Sequence, residues 1–109
     1  VDPATTLLEN LVAITLFRKY GNDPNNERVF FYNQNIEVDF YIPEDELAIQ
    51  VSYSIDKSDA TQNREVEALQ KLPKALPCKR RLIITYDEKK TIKDDYGTIE
   101  VIPCWEWLI

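Results

Sequence analysis

The sequence has no histidine. Without imidazole there is no Cys/His zinc site, no His-based nucleophilic triad and no histidine acid–base chemistry. Cysteine is scarce. Cys78 and Cys104 stand far apart and neither forms a Cys-x-x-Cys pair. Two lone thiols in an otherwise ordinary domain fit a reducing, cytoplasmic compartment; whether they pair is open from spacing alone. No apolar run approaches the roughly 18 residues of a membrane-spanning helix, so no membrane contact is expected. No basic segment leads an apolar stretch near Val1, so no signal peptide is expected. The chain starts without methionine and enters a helical pattern almost at once. Both features point to a domain cut from a longer protein.

What is present is enough for one core. A chain of 109 residues with 44% hydrophobic content buries a single core rather than two, so residues 1–109 are read as one domain. The net charge is −6, which argues against non-specific binding to nucleic acid. The charge is uneven. Basic residues crowd positions 71–93, and Lys79, Arg80 and Arg81 stand together there. That stretch is either a solvated rim or a local contact for DNA.

Along the chain, Asp2 and Pro3 have the form of a helix start, a cap followed by proline at the first helical position. Leu7, Leu8, Leu11, Val12, Leu16 and Phe17 recur at three- and four-residue steps, which predicts a well-buried helix. Gly21 ends it. RVFFY (28–32), IEVDFYI (36–42) and residues 47–55 then read as a three-stranded meander. Asp59 and Gln62 have the spacing of a capping box that opens a second helix. Val66, Leu69 and Leu72 supply its apolar side, leaving Glu65 and Glu67 to face water, and Pro73 stops it. RLIITY (81–86) is an unbroken apolar run, as expected of a strand covered on both faces. Residues 87–97 read as a charged loop, 98–102 as a last strand, and CWEWLI as a short helix anchored by Trp105 and Trp107. The expected order is α-β-β-β-α-β-β-α, a mixed sheet flanked by helices, with a parallel crossover around the second helix.

The hairpin 36–55 carries the chemistry. With its turn at 43–46, Asp39 falls opposite Gln50 and Glu37 opposite Ser52, on one polar face. Ile36, Val38, Phe40 and Ile42 pack against Ile49, Val51, Tyr53 and Ile55 on the other. One reading of the polar face is a half-exposed sheet; the other is a reaction centre, intact or decayed. Cys78 lies between Pro77 and the basic Lys79 and Arg80, neighbours that lower a thiol pKa.

Four segments, LLENLV (7–12), IEVDFYI (36–42), AIQVSYSI (48–55) and ATQNREVEALQKL (60–72), with the ending GTIEVIPCWEWLI (97–109), resemble the C-terminal domain that follows an AAA-type ATPase module in many bacterial and archaeal proteins. Its fold is the restriction-endonuclease-like PD-(D/E)XK core. The resemblance implies that Asp39 stands at the metal-binding acid of the motif, Gln50 at the second acid and Ser52 at the lysine. Glu9 matches an acid supplied by the first helix. Arg64, with Gln62, lies on the helix where nuclease relatives place an accessory polar or basic residue. An active member implies magnesium held by Glu9 and Asp39. This chain departs from the pattern twice. Gln50 carries no charge, and Ser52 can neither activate water nor offset phosphate charge as a lysine does. The resemblance therefore implies an accessory domain with a degraded site, serving an attached N-terminal ATPase region by binding or assembly. The alternatives are a working magnesium-dependent DNA nuclease, and a non-catalytic nucleic-acid-binding module using Lys79, Arg80, Arg81 and Arg64.

Overall fold

A computed structural model describes residues 3–55 and 60–109, with residues 60–63 described by their backbone only. The expected Asp2 cap and the side chains of the Asp59–Gln62 capping box lie outside the described residues. Helix α1 (Pro3–Tyr20) stops at Gly21. That residue takes φ +98°, a conformation that a residue without Cβ adopts at little cost.

Three strands follow as the sequence predicts: β1 (Phe30–Asn33), β2 (Glu37–Ile42) and β3 (Leu47–Val51). They form an antiparallel meander. A short 3-10 turn, Pro43–Asp45, joins β2 to β3. The ladder pairs Phe40 with Ile49, Tyr41 with Ala48 and Ile42 with Leu47, the register set by a symmetric turn. Helix α2 (Ala60–Lys71) runs into the 3-10 turn Leu72–Lys74, because Pro73 cannot extend an α-helix. Strand β4 (Arg80–Thr85) lies parallel to β3, so the crossover around α2 is parallel. The chain closes with β5 (Lys90–Asp94), β6 (Gly97–Pro103) and α3 (Cys104–Trp107). The sheet order is β1-β2-β3-β4-β6-β5.

The core lies on both faces of this sheet. On one, Val12, Leu16 and Tyr20 of α1 cover Ile42, Ile49, Val51, Leu82, Ile84 and Ile102. On the other, Ala68 and Leu69 of α2 and the following Leu72 cover Val38, Tyr41, Ala48, Ile83, Ile99 and Val101. Successive side chains of a strand point to opposite faces, so β4 must be apolar on both; Leu82, Ile83 and Ile84 are each fully buried.

Four expectations are corrected. Residues 90–94 form a strand, β5, where a loop was expected. It is an edge strand with one half-buried apolar side chain, Ile92, among exposed lysines and threonine, and a half-buried Asp94 at its end, so it lacks the apolar alternation that marks a strand with a covered face. The structure thus has a sixth strand, and the order reads α-β-β-β-α-β-β-β-α. Helix α1 is only partly covered. Leu7, Leu11 and Ile14 are exposed, because a single sheet face covers one side of an all-round apolar helix. The hairpin does not keep one apolar face. Phe40 and Ile42 pack on the α1 side, whereas Ile36 and Val38 pack on the α2 side, because β2 leaves the ladder beyond Phe40. Tyr53 is half-buried and stacks on Tyr86, ring centroids 5.0 Å apart, rather than filling the core.

Both cysteines are free thiols. Cys104 sits in the α1-side core and Cys78 packs against the α2-side core, so the sheet separates them. Burial pushes the Cys78 thiol up, and the Arg81 charge only partly opposes it, so the basic neighbours do not activate it. Trp107 packs on the core while Trp105 is exposed. Among the described residues no helix is long and apolar enough to cross a membrane.

Candidate functional site

Beyond the Phe40–Ile49 pair, β2 and β3 are joined by side chains instead of backbone. Gln50 Oε1 accepts from the Asp39 N–H at 2.9 Å, and Gln50 Nε2 donates to the Glu37 carbonyl at 2.9 Å. One primary amide thus stands where the peptide group of a neighbouring strand would be. The same nitrogen reaches the Glu65 carbonyl on α2 at 3.3 Å. Asp39 reciprocates, its Oδ2 accepting from the Val51 N–H at 2.8 Å. Buried backbone groups left without a partner are costly, and these two side chains satisfy them where the strands part. Gln50 is 2% exposed. Of the expected polar face, Gln50 and Ser52 are buried and Asp39 is half-buried, a polar layer beneath α2, while Glu37 stays exposed.

Ser52 follows at the end of β3. Its N–H donates to the Ile84 carbonyl at 3.0 Å and its hydroxyl to the Ser54 carbonyl at 3.1 Å. A neutral hydroxyl, buried, stands at the position that the resemblance gives to lysine.

Carboxyls from three elements face this layer. Asp39 on β2 is pushed up to about 6, chiefly by burial. The Val51 N–H opposes the rise, and the nearby Glu9 and Glu37 charges add to it. Glu65 on α2 is pushed up to about 8, again chiefly by burial, then by Asp39 and Glu9; Ser52 and Arg64 pull the other way. Burial also raises Glu9 on α1. Oε2 of Glu65 is buried and has no hydrogen-bond partner among the described residues. A carboxyl kept neutral at pH 7 accounts for that atom. The ionised form would leave a buried oxygen bearing charge with nothing to balance it.

The expected residues therefore meet in part. Asp39, Gln50 and Ser52 come together, the Glu9 charge is near enough to raise Asp39 and Glu65, and Glu65 joins them against the expectation that it faces water. The sequence holds the signal for Glu65: it lies four residues before Leu69 and seven before Leu72, on the buried stripe of α2. Glu67 is exposed as expected and pairs with Lys71 at 2.7 Å. Beside this layer a groove of about 450 Å³ opens between α2 and the start of β2, lined by Asn35, Glu37, Asp39, Arg64 and Lys71 among others.

The donor set does not fit magnesium. Magnesium wants near-octahedral oxygen ligands including charged carboxylates. Gln50 offers an amide already committed to backbone, one Asp39 oxygen is tied to Val51, and Glu65 favours its neutral form. Among the described residues, no group of three or more histidines, cysteines or carboxylates is placed to hold a metal ion.

The basic residues do not form one surface. Arg81 is 3% exposed. It donates to Asp94 at 2.6 and 2.8 Å and to the Leu69 carbonyl at 2.9 Å, so it is a buried tie from β4 to β5 and α2 and cannot meet a phosphate. Arg80 pairs with Glu100 at 3.0 Å. Lys79 is exposed beside it, and Arg64 lies apart on α2 at the groove.

Comparison with known proteins gives a family match. The family model described as "Domain of unknown function (DUF4143)" matches residues 4–107. The chain is 36% identical over 108 residues to the uncharacterized protein MJ1544 of Methanocaldococcus jannaschii, an alignment that covers 93% of this chain and 24% of that protein. The chain thus spans about a quarter of the length of the curated relative it matches. No solved structure matches it.

Proposed function

The chain belongs to the DUF4143 family, a domain of unknown function; we propose that it is an accessory, non-catalytic domain of a longer ATP-binding protein. In this reading the fold is nuclease-like, the catalytic chemistry has been lost, and the domain serves binding or assembly in the prokaryotic cytoplasm. The observation that carries it is the use made of Gln50. A metal-dependent nuclease needs a charged ligand there, aimed at a cation. Here the amide oxygen and nitrogen are both bonded to backbone of β2, and the nitrogen to α2 as well. Ser52 brings no positive charge to offset a phosphate, and burial moves Asp39 and Glu65 towards their neutral forms. The layer works as structural glue between strand and helix. The ATP-binding region rests on the sequence resemblance, and the greater length of the archaeal relative leaves room for one. Buried Arg81 and paired Arg80 weigh against a nucleic-acid-binding module.

The test is a cleavage assay on single- and double-stranded DNA with magnesium or manganese, using Asp39→Ala as control. The reading predicts no cutting above the Asp39→Ala background. Cutting by the native chain that disappears in Asp39→Ala overturns it.

A further inference from the structure

The outward side of α1 is unusual for a surface helix. Such helices normally carry charge on the face away from the core. Here the exposed positions of the first three turns include Thr6, Leu7, Asn10, Leu11 and Ile14, and no charged residue stands among them. Leu7, Leu11 and Ile14 are spaced at four and three residues, so they form one stripe. They are 71%, 40% and 50% exposed. One turn further on, exposed Arg18 ends the stripe. The opposite side of the helix is fully used, with Val12, Leu16 and Tyr20 in the core. Contiguous exposed apolar surface is a feature of interaction sites.

We propose that this stripe docks the domain onto the remainder of a longer polypeptide that contains it, through an apolar patch bordered by a carboxylate facing Arg18. The inference rests on the reading of the chain as one part of a longer protein. The archaeal relative supports that occupant, since the matched region is 24% of its length and most of that polypeptide lies outside it. A second copy of this chain is a poorer occupant. Its net charge of −6 opposes self-association. Two stripes packed antiparallel set Arg18 against the positive N-terminal end of the facing helix, and two packed parallel bring their Arg18 side chains together.

The test uses Leu11→Cys, an exposed position whose change leaves the core intact. Maleimide labelling at residue 11 is followed by peptide mapping, which separates it from Cys78 and Cys104. The rate is compared between the 109-residue chain and the full polypeptide that carries it. We expect labelling to slow at least about tenfold in the full polypeptide, the protection of a packed interface, and Ile14→Lys to restore it. Equal rates overturn the proposal. So does labelling of the short chain that slows as its concentration rises, which would assign the stripe to a second copy. DNA cutting defeats the accessory reading without altering this comparison. Equal rates with no cutting defeat the docking surface alone.

Discussion

Replacing Gln50 by alanine removes one side chain and strands two backbone groups, the Asp39 N–H and the Glu37 carbonyl; the Glu65 carbonyl keeps its place in the hydrogen-bond ladder of α2. A buried group left unsatisfied costs about 1–3 kcal/mol. The lost side-chain volume adds roughly 1–2 kcal/mol of cavity cost. The groove beside Asp39 lets water reach part of the site, so the lower half of each range applies, and the expected loss is about 3–5 kcal/mol. A domain of this size has a total stability of about 5–15 kcal/mol. With a urea dependence of about 2 kcal/mol per molar, the middle of the range for small domains, the unfolding midpoint should fall by roughly 1.5–2.5 M. Gln50→Glu is the informative companion. It keeps an acceptor for the Asp39 N–H, loses both donors, and adds a carboxyl to a layer that already faces Glu9, Asp39 and Glu65. Burial must raise the folded pKa of that carboxyl. Its destabilisation should therefore be small at low pH and grow as pH rises. A Gln50→Ala loss below about 1 kcal/mol would refute the reasoning, since it would mean the amide holds no buried backbone.

Stability should also fall as pH rises. Glu65 goes from 4.5 to about 8 on folding, so its contribution is complete below pH 4.5 and is lost as pH climbs through 8. Glu65→Gln should flatten that slope and raise alkaline stability by on the order of 3 kcal/mol, read by urea unfolding across pH 5–9; an unchanged slope would place the titration elsewhere. Arg81→Ala breaks the buried pair with Asp94 and should cost about 3–5 kcal/mol by the same assay, whereas breaking an exposed pair such as Lys71–Glu67 should change little. Leu16→Ala should cost about 2–5 kcal/mol, and Leu11→Ala, on the opposite side of α1, about 0.5 kcal/mol or less. Equal effects would show that α1 is turned the other way.

Much of the fold was legible because its signals are local. Gly21 and Pro73 mark helix ends by backbone sterics, and the run 82–84 is apolar because both sheet faces are covered. Strand β5 was not legible, since an edge strand facing water has no pattern to read beyond Ile92. The hairpin misled for a related reason. Alternation in IEVDFYI predicts one flat face, but alternation cannot reveal where the backbone ladder stops, and at Asp39 two side chains take it over. Glu65 was assigned to solvent on its charge although its spacing from Leu69 placed it inside. Arg81 was assigned to a basic surface, yet it is the first buried residue of a strand that is covered on both faces. In both cases the reason for burial is remote in sequence: the layer around Asp39 holds the Glu65 carboxyl towards its neutral form, and Asp94 neutralises Arg81.

The central claim is that the layer around Gln50 joins backbone and carboxyls without a metal. Calorimetric titration of the chain with magnesium and manganese to millimolar concentration tests it most directly. The account predicts no saturable heat. Stoichiometric binding by the native chain that is abolished by Asp39→Ala would contradict it.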